Sequence, residues 1–386
     1  MEAASSLGID LVVAAEEAPP LDLGDRFVLI DCSDPHASAV AIVDFADRVP
    51  IDGIVAADDA GVLVAALAGR ELGVIANPPD AAAATRNKVV MRRRLAAAEV
   101  PQPSFGVITG SDDVDEAVAH IGFPLVIKPL SRSASQGVTR VDRPEQLSGA
   151  VDGLRDLLAR TGGNPNEAVL AEAYMSGAEV AVEGIIRDGV LDILAVFDKP
   201  DTPPGPTFPE TLLITPSRLH PEVIDEVERV AVGAVTALGL ETGPVHVELK
   251  VDGPQVRVIE VAGRSIGGLC SRSLRFGLMG TTLEALILRN ALGMEKPELR
   301  RQRSASGVYM IPTTKGGTFR GASGIDEVLA AEGIDGVEIT VHPGDRVEPL
   351  PGGDRYLGFV FASGPDPQGV EQTLRRAAAT LHLEIA

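Results

Sequence analysis

Apolar positions recur along this chain with two different periods. Over roughly the first 84 residues, strand-like runs alternate with helix-like ones. Ile9 to Ala14, Phe27 to Asp31 and Gly53 to Ala57 read as buried strands, and Ala37 to Arg48 and Asp59 to Leu72 read as helices. That alternation predicts a small doubly wound α/β unit. A helix is expected from Thr85 through Lys88 and Met91 to Ala98, stopping before Pro101. From Phe105 the pattern turns to strands joined by Gly turns, with helices at about 112–120 and 144–160. Two long strands, 179–187 and 190–198, flank Arg187-Asp188-Gly189, and a helix at 221–238 leads to a hairpin. A helix at 281–292 closes this region. Beyond it come strands near 307–311, 337–341 and 357–363, a Gly/Pro-rich stretch from Pro349 to Gly353, and a last helix at 368–381. The chain thus divides into an α/β unit at 1–84, a central region at 85–295 and an α+β unit at 296–386. The central region splits into a smaller part at about 104–175 and a larger antiparallel part at about 176–295. No internal repeat is evident.

The hairpin is the most informative segment. Asp252-Gly253-Pro254 separates two alternating runs, and positions 248 and 260 lie symmetrically about residue 254. A hairpin turning there sets Glu248 opposite Glu260, Val247 opposite Val261 and Leu249 opposite Ile259. The valine and leucine side is core. His246, Glu248 and Lys250 share the other face with Glu260 and Ala262. Opposed side chains have Cβ atoms roughly 5 Å apart, and like charges there destabilise the pair. A cation between the carboxylates removes the conflict, and a hard divalent ion such as Mg²⁺ suits oxygen ligands. The plain alternative is a solvated polar face, and a bulge would shift the register.

Composition narrows the function classes. The 386 residues exceed one ordinary core, and the 45% hydrophobic content marks a folded chain. Aromatics are 3% with no Trp, so Ala, Val, Leu and Ile build the core. No apolar run reaches the roughly 18–20 residues a membrane span needs, and the acidic N-terminus lacks the basic start of a signal peptide. A net charge of −21 argues against nucleic acid or an anionic membrane as a partner. Cys32 and Cys270 show no metal-ligand spacing and read as free thiols of a reducing cytoplasm. Arg92-Arg93-Arg94 reads as a solvated helix face. The first unit has no Gly-x-Gly-x-x-Gly turn, so nothing supports a dinucleotide site there.

Three further segments carry chemistry. In Phe123-Pro124-Leu125-Val126-Ile127-Lys128-Pro129 a strand ends at a lysine, and a small-residue loop with Ser131, Ser133, Ser135, Gln136 and Gly137 follows. Hydroxyls and unhindered N–H groups there can wrap phosphate oxygens, with Lys128 as a point charge. The spacing is not that of a Walker loop. In the segment from Glu172 to Glu179, the backbone of Ala173, Tyr174 and Met175 can read an adenine edge, and Glu179 can accept ribose hydroxyls. In Glu260-Val261-Ala262-Gly263-Arg264-Ser265-Ile266-Gly267-Gly268, Arg264 with the N–H groups near Gly267 and Gly268 forms a candidate oxyanion site. The plain readings are a flexible loop beside a lysine, surface acids, and a Gly-rich turn with a surface arginine.

Taken in order along the chain, these segments resemble the ATP-grasp superfamily over roughly residues 1–295. The resemblance implies an ATP-grasp fold of the α/β (α+β) class, with the N-terminal α/β unit as its pre-ATP-grasp domain. It implies Lys88 and Lys128 on phosphates, a lid at 131–137, an adenosine hinge at Glu172 to Glu179, and Mg²⁺ (or Mn²⁺) on Glu248 and Glu260. Residues 198–200, 215–219 and 353–360 look like the subgroup of bacterial L-amino acid ligases. The family commonly places Asn where Ala262 stands, which puts the second metal in doubt. The implied activity is an ADP-forming carboxylate–amine ligase acting through an acyl phosphate on small amino or carboxylic acids, in the cytoplasm, with a homodimer allowed. Lys128, Arg264, Gly267 and Gly268 take the catalytic roles. Biotin carboxylase-like chemistry, a carboxylate–thiol ligase and a non-catalytic nucleotide-binding module remain as alternatives. The first lacks a carrier segment here, and retention of both carboxylates with Arg264 weighs against the last.

Overall fold

The computed structural model of the protein describes residues 1–19, 23–110, 114–201, 205–276, 280–297 and 304–386. Its frame is an eight-stranded sheet. From one edge the strands run Gln255–Ala262, Gly243–Asp252, Ala178–Arg187, Val190–Lys199, Leu212–Thr215, Ala305–Ile311, Gly358–Gly364 and Ile334–Ile339. Every neighbouring pair is antiparallel, and the fourth and fifth strands are joined by a single bridge, Asp198 to Ile214. The last three strands come from the C-terminal part of the chain, so one sheet runs through both the hairpin and the C-terminal region.

Helices cover both faces. Helix Pro221–Leu238 buries Val227, Val230, Ala231, Ala234, Val235 and Leu238, the i, i+3, i+4, i+7 stripe of an amphipathic helix. Pro at its first position and Gly239 in the left-handed region after its last residue fix its ends. Its stripe meets Val180, Val182, Val245, Val247 and Leu249 of the sheet. On the opposite face Ala181, Phe197, Leu213, Val308, Phe359 and Phe361 pack with Leu283 and Leu286 of helix Leu283–Ala291. Truncating a core side chain such as Leu249 to Ala costs roughly 2–5 kcal/mol.

A separate four-stranded sheet, in the order Phe105–Ile108, Val169–Ala173, Leu125–Pro129, Thr139–Val141, carries helix Leu147–Arg160 on one face. The N-terminal unit has two short parallel strands, Val13–Ala15 and Phe27–Leu29, with helices Pro35–Ala46 and Gly61–Leu72. The strand expected at Gly53–Ala57 has no ladder partner; its backbone lies against the end of helix Leu283–Ala291, where a Cβ on Gly53 would stand 3.0 Å from the Ala291 carbonyl oxygen. The helix expected from Thr85 to Ala98 is two helices, Pro79–Arg86 and Lys88–Ala97. Asn87 divides them: it is extended, and its Oδ1 accepts from Val89 and Val90 N–H, an N-cap in the middle of the expected helix. The helix expected at 112–120 appears as Val114–Val118, its first expected residues lying outside the described ones. The strands Gly317–Ser323 and His382–Ile385 pair with each other and were not legible in the Gly-rich pattern.

Candidate active site

The hairpin sets Glu248 opposite Glu260 and Val247 opposite Val261, as the alternation predicts. Leu249 then pairs with Val258, correcting the expected Ile259. Ile259 is the extra residue of a bulge, which lets Val258 and Val261 both face the core. Gln255–Ala262 is an edge strand, and the bulge leaves it open there. Arg92 closes it. Its guanidinium donates to the carbonyls of Val258 and Ile259, and its Nε to Glu172 Oε1. Arg92 is 1% exposed, so the reading of Arg92 as solvated is wrong. The apolar count of its helix does not show it, because Arg93 beside it is exposed as expected.

Glu172 belongs to the lid sheet and is 2% exposed. Its second oxygen meets Lys128 Nζ at 2.6 Å. Burial pushes the Glu172 carboxyl up, but Arg92 and Lys128 outweigh it and hold it at about 2. This corrects the expectation that Glu172 faces an adenosine, since both oxygens are turned inward onto cations. Next to it, Ala173 N–H donates to Ser104 O and Tyr174 N–H to Pro124 O. The Arg140 guanidinium stacks 4.1 Å from the Tyr174 ring centre.

The hairpin carboxylates meet different cations. Lys88, at the first position of its helix, places Nζ 2.9 Å from Glu260 Oε1 and 2.8 Å from the Arg132 carbonyl oxygen of the lid loop. Lys88 therefore ties the lid to the hairpin. Glu248 Oε1 lies 3.3 Å from Lys199 Nζ, and the same ammonium bonds Glu179 and Glu210. Lys199 and Glu210 were not assigned roles from sequence. Lys199 ends its strand beside a proline, as Lys128 does, and that repeated Lys-Pro is the signal that could have found it. Burial opposes the charge on Lys199, but Glu179, Glu210 and Glu248 outweigh it and raise its pKa well above the usual lysine range. Burial raises the Glu210 carboxyl, and Glu248 adds to the rise.

Glu179, Glu210 and Glu248 each offer an oxygen within 4.8 Å of the others. Three carboxylate oxygens are the donor chemistry a hard divalent ion takes, so these residues fit such an ion. Glu260 stands outside that trio. Behind Glu248, His246 Nε2 lies 3.4 Å from its Oε1, and Nδ1 lies 3.0 Å from Glu183 Oε2. Glu183 is fully buried and also accepts from Ile266 N–H. Burial works against the imidazolium, yet the bonds to Glu183 and Glu248 raise His246 to about 9.

The lid loop is docked. Gly137 N–H donates to Pro351 O at 2.9 Å, and Gln136 Nε2 to Gly352 O at 2.8 Å. Ser131 Oγ donates to Glu167, while Ser133 is exposed and Ser135 half-buried. Ala134, Ser135 and Gly137 all have positive φ, so the loop curls tightly. Arg264, part-buried, donates to Asp59 at 2.7 Å and to its neighbour's carbonyl, Ser265 O, at 2.8 Å. Gly267 and Gly268 follow it and are exposed; Gly268 lies against Phe359, whose ring a Cβ would approach to 2.6 Å.

A lid sheet carrying a buried lysine faces an acidic hairpin across Lys88, and the chain carries matches to ATP-grasp domains. Residues 1–74 match the ATP-grasp N-terminal domain, 121–273 the ATP-grasp domain, and 309–386 the L-amino acid ligase C-terminal domain 2. The L-amino acid ligase of Bacillus licheniformis superposes with a TM-score of 0.83 at 26% identity, over 100% of this chain and 95% of that one. Alanine–anticapsin ligase of Bacillus subtilis (strain 168) is 29% identical over 58% of this chain and 51% of its own length. Dapdiamide A synthase of Enterobacter agglomerans is 24% identical over 77% of this chain and 71% of its own length. The chain thus spans about half the length of the alanine–anticapsin ligase it matches. No helix among the described residues is long and apolar enough to cross a membrane.

Proposed function

We propose that the protein is an ADP-forming carboxylate–amine ligase that joins small amino or carboxylic acids in the cytoplasm. The observation that carries this reading is the opposition of two charge sets: Lys128 and Arg92 around one carboxylate on the lid side, and three carboxylates around Lys199 on the hairpin side. A polyphosphate with a divalent cation is the complement of that arrangement. The names of the relatives, which are amide-forming ligases, support it.

ATP is a substrate in this reading. The oxygen of a substrate carboxylate attacks the γ-phosphorus, the bond to the β-phosphate oxygen breaks, and ADP leaves. The nitrogen of an amine then adds to the acyl phosphate carbon. Phosphate departs as the amide forms, and the amine loses a proton. Lys128 and Lys88 hold phosphate oxygens, with Ser131, Ser133, Ser135, Gln136 and Gly137 closing over them. Ala173, Tyr174 and Met175 frame the base, and Glu179 the ribose or the cation. Glu248, with Glu179 and Glu210, would hold Mg²⁺, which when bound offsets phosphate charge, and Glu260 faces Glu248 from the adjacent strand as a further carboxylate. Arg264 and the N–H groups near Gly267 and Gly268 steady the charge that develops during transfer. The docked lid excludes the water that would hydrolyse the acyl phosphate.

The test is phosphate release with Mg-ATP across an array of amino acid and carboxylic acid pairs. Phosphate is expected to appear only with a matching pair, with the amide visible by mass spectrometry. Silence across the array would count for a nucleotide-binding module.

A further inference from the structure

Arg264 makes a contact that the ligase reading leaves unexplained. Its Nη2 donates to Asp59 Oδ2 at 2.7 Å, and the two side chains are only 14% and 15% exposed. Asp59 belongs to the N-terminal unit and sits at the entry of helix Gly61–Leu72. That entry is rigid: Asp58 Oδ1 accepts from Gly61 N–H at 2.9 Å, and the Asp59 carbonyl accepts from Val62 N–H. The turn bearing Arg264 is pressed against the same unit. A Cβ on Gly263 would stand 3.3 Å from Val62 Cγ1 of that unit, and as close to Thr85 Oγ1 just beyond it. The other end of the guanidinium is fixed as well, by Nη1 on Ser265 O at 2.8 Å. A planar fork held at two points has its orientation set. The second oxygen of Asp59 faces Arg86 Nη1 at 3.9 Å, and Arg86 Nη2 reaches the lid carbonyl of Ser131 at 3.5 Å. One carboxylate of the N-terminal unit therefore stands between the arginine of the hairpin and an arginine that touches the lid.

We infer that Asp59 is the positioning residue for Arg264, so that the N-terminal unit acts on the transfer step by aiming a guanidinium it does not itself carry. This rests on the role given to Arg264 in the ligase reading. The carboxylate also offsets the burial that opposes the Arg264 charge. Displacing a charge-stabilising group by about 1 Å can cost on the order of 10²-fold in rate.

The experiment compares wild type with Asp59→Asn and Asp59→Glu. In the first arm, phenylglyoxal labelling of Arg264 is followed by peptide mass spectrometry without substrates. Labelling is expected to speed up several-fold in Asp59→Asn and less in Asp59→Glu. In the second arm, kcat is expected to fall about 10²-fold in Asp59→Asn. The KM for ATP should stay within about 3-fold, and Asp59→Glu should recover part of the rate. Unchanged Arg264 labelling, unchanged kcat, or a KM for ATP that rises in step with the loss of kcat would each overturn the inference. Circular dichroism identifies a misfolded variant, in which case Asp59→Glu alone decides by its labelling and rate. If wild type turns over no substrate pair, the ligase reading fails, while the labelling arm still decides the pairing.

Discussion

The lid side and the hairpin side both bury charge, and they do so in opposite senses. On the lid side Arg92 and Lys128 share the single carboxylate of Glu172. On the hairpin side Glu179, Glu210 and Glu248 share the single ammonium of Lys199. The first set leaves positive charge over and the second leaves negative charge over. Glu172 is nearly sealed from solvent, and both its oxygens are engaged. Glu248 keeps 22% of its side chain exposed. The sealed carboxylate anchors two cations in place, while the open trio keeps its surplus charge toward solvent. Burial alone does not separate the two roles; the balance of charge and the access of water do.

That contrast makes the two glutamates fail differently. Glu248→Ala is expected to lower ATP turnover by about 10²–10³-fold while the fold persists, because it removes an oxygen from a site of charge stabilisation and relieves repulsion among the trio. ADP release at saturating Mg-ATP checks this, and a loss under tenfold would remove the trio from the cation role. Glu172→Ala is expected to destabilise the protein by about 3–5 kcal/mol, since it strands Arg92 and Lys128 in a buried setting. Urea unfolding measures it; a cost below about 1 kcal/mol would mean that the sealed set is not structural.

The smallest expected effect lies behind Glu248. His246 is raised from 6.5 to about 9 by Glu183 and Glu248. A raised folded-state value stabilises the protonated form, so the contribution is complete below pH 6.5 and is lost as pH rises through about 9. Unfolding free energy should fall across that window by about 3 kcal/mol at most. His246→Gln should flatten the fall, and an equal slope in both proteins would show that the imidazolium is not the group responsible.

The hairpin was legible because its information is local. Val247, Glu248, Val261 and Glu260 alternate on two adjacent strands, and a turn signal sets their register. The bulge at Ile259 was not legible, because a bulge adds a residue without changing the residue types. Arg92 was misread for a related reason. Its partners, Glu172, Val258 and Ile259, lie 80 to 167 residues away, and nothing in a run of three arginines says which one turns inward. The role of Lys199 was not legible, since its three glutamates come from three other strands or loops. Asn87 could have been found: a capping residue inside an expected helix is a stop signal, and here it marks the start of a new helix that carries Lys88.

The lid loop and the C-terminal part of the chain meet through Gln136, Gly137 and the carbonyls of Pro351 and Gly352. The same C-terminal part supplies three strands to the sheet, next to Leu212–Thr215. Anyone recombining this protein with a relative therefore faces a cassette that does not end where a domain seems to end. Residues 205–215, 305–364 and the lid at 131–137 would have to travel together, because a junction placed between them mismatches both a strand edge and the seat of the loop. The hairpin and helix Pro221–Leu238 instead share a core cluster that, among the described residues, contains no side chain of the C-terminal strands.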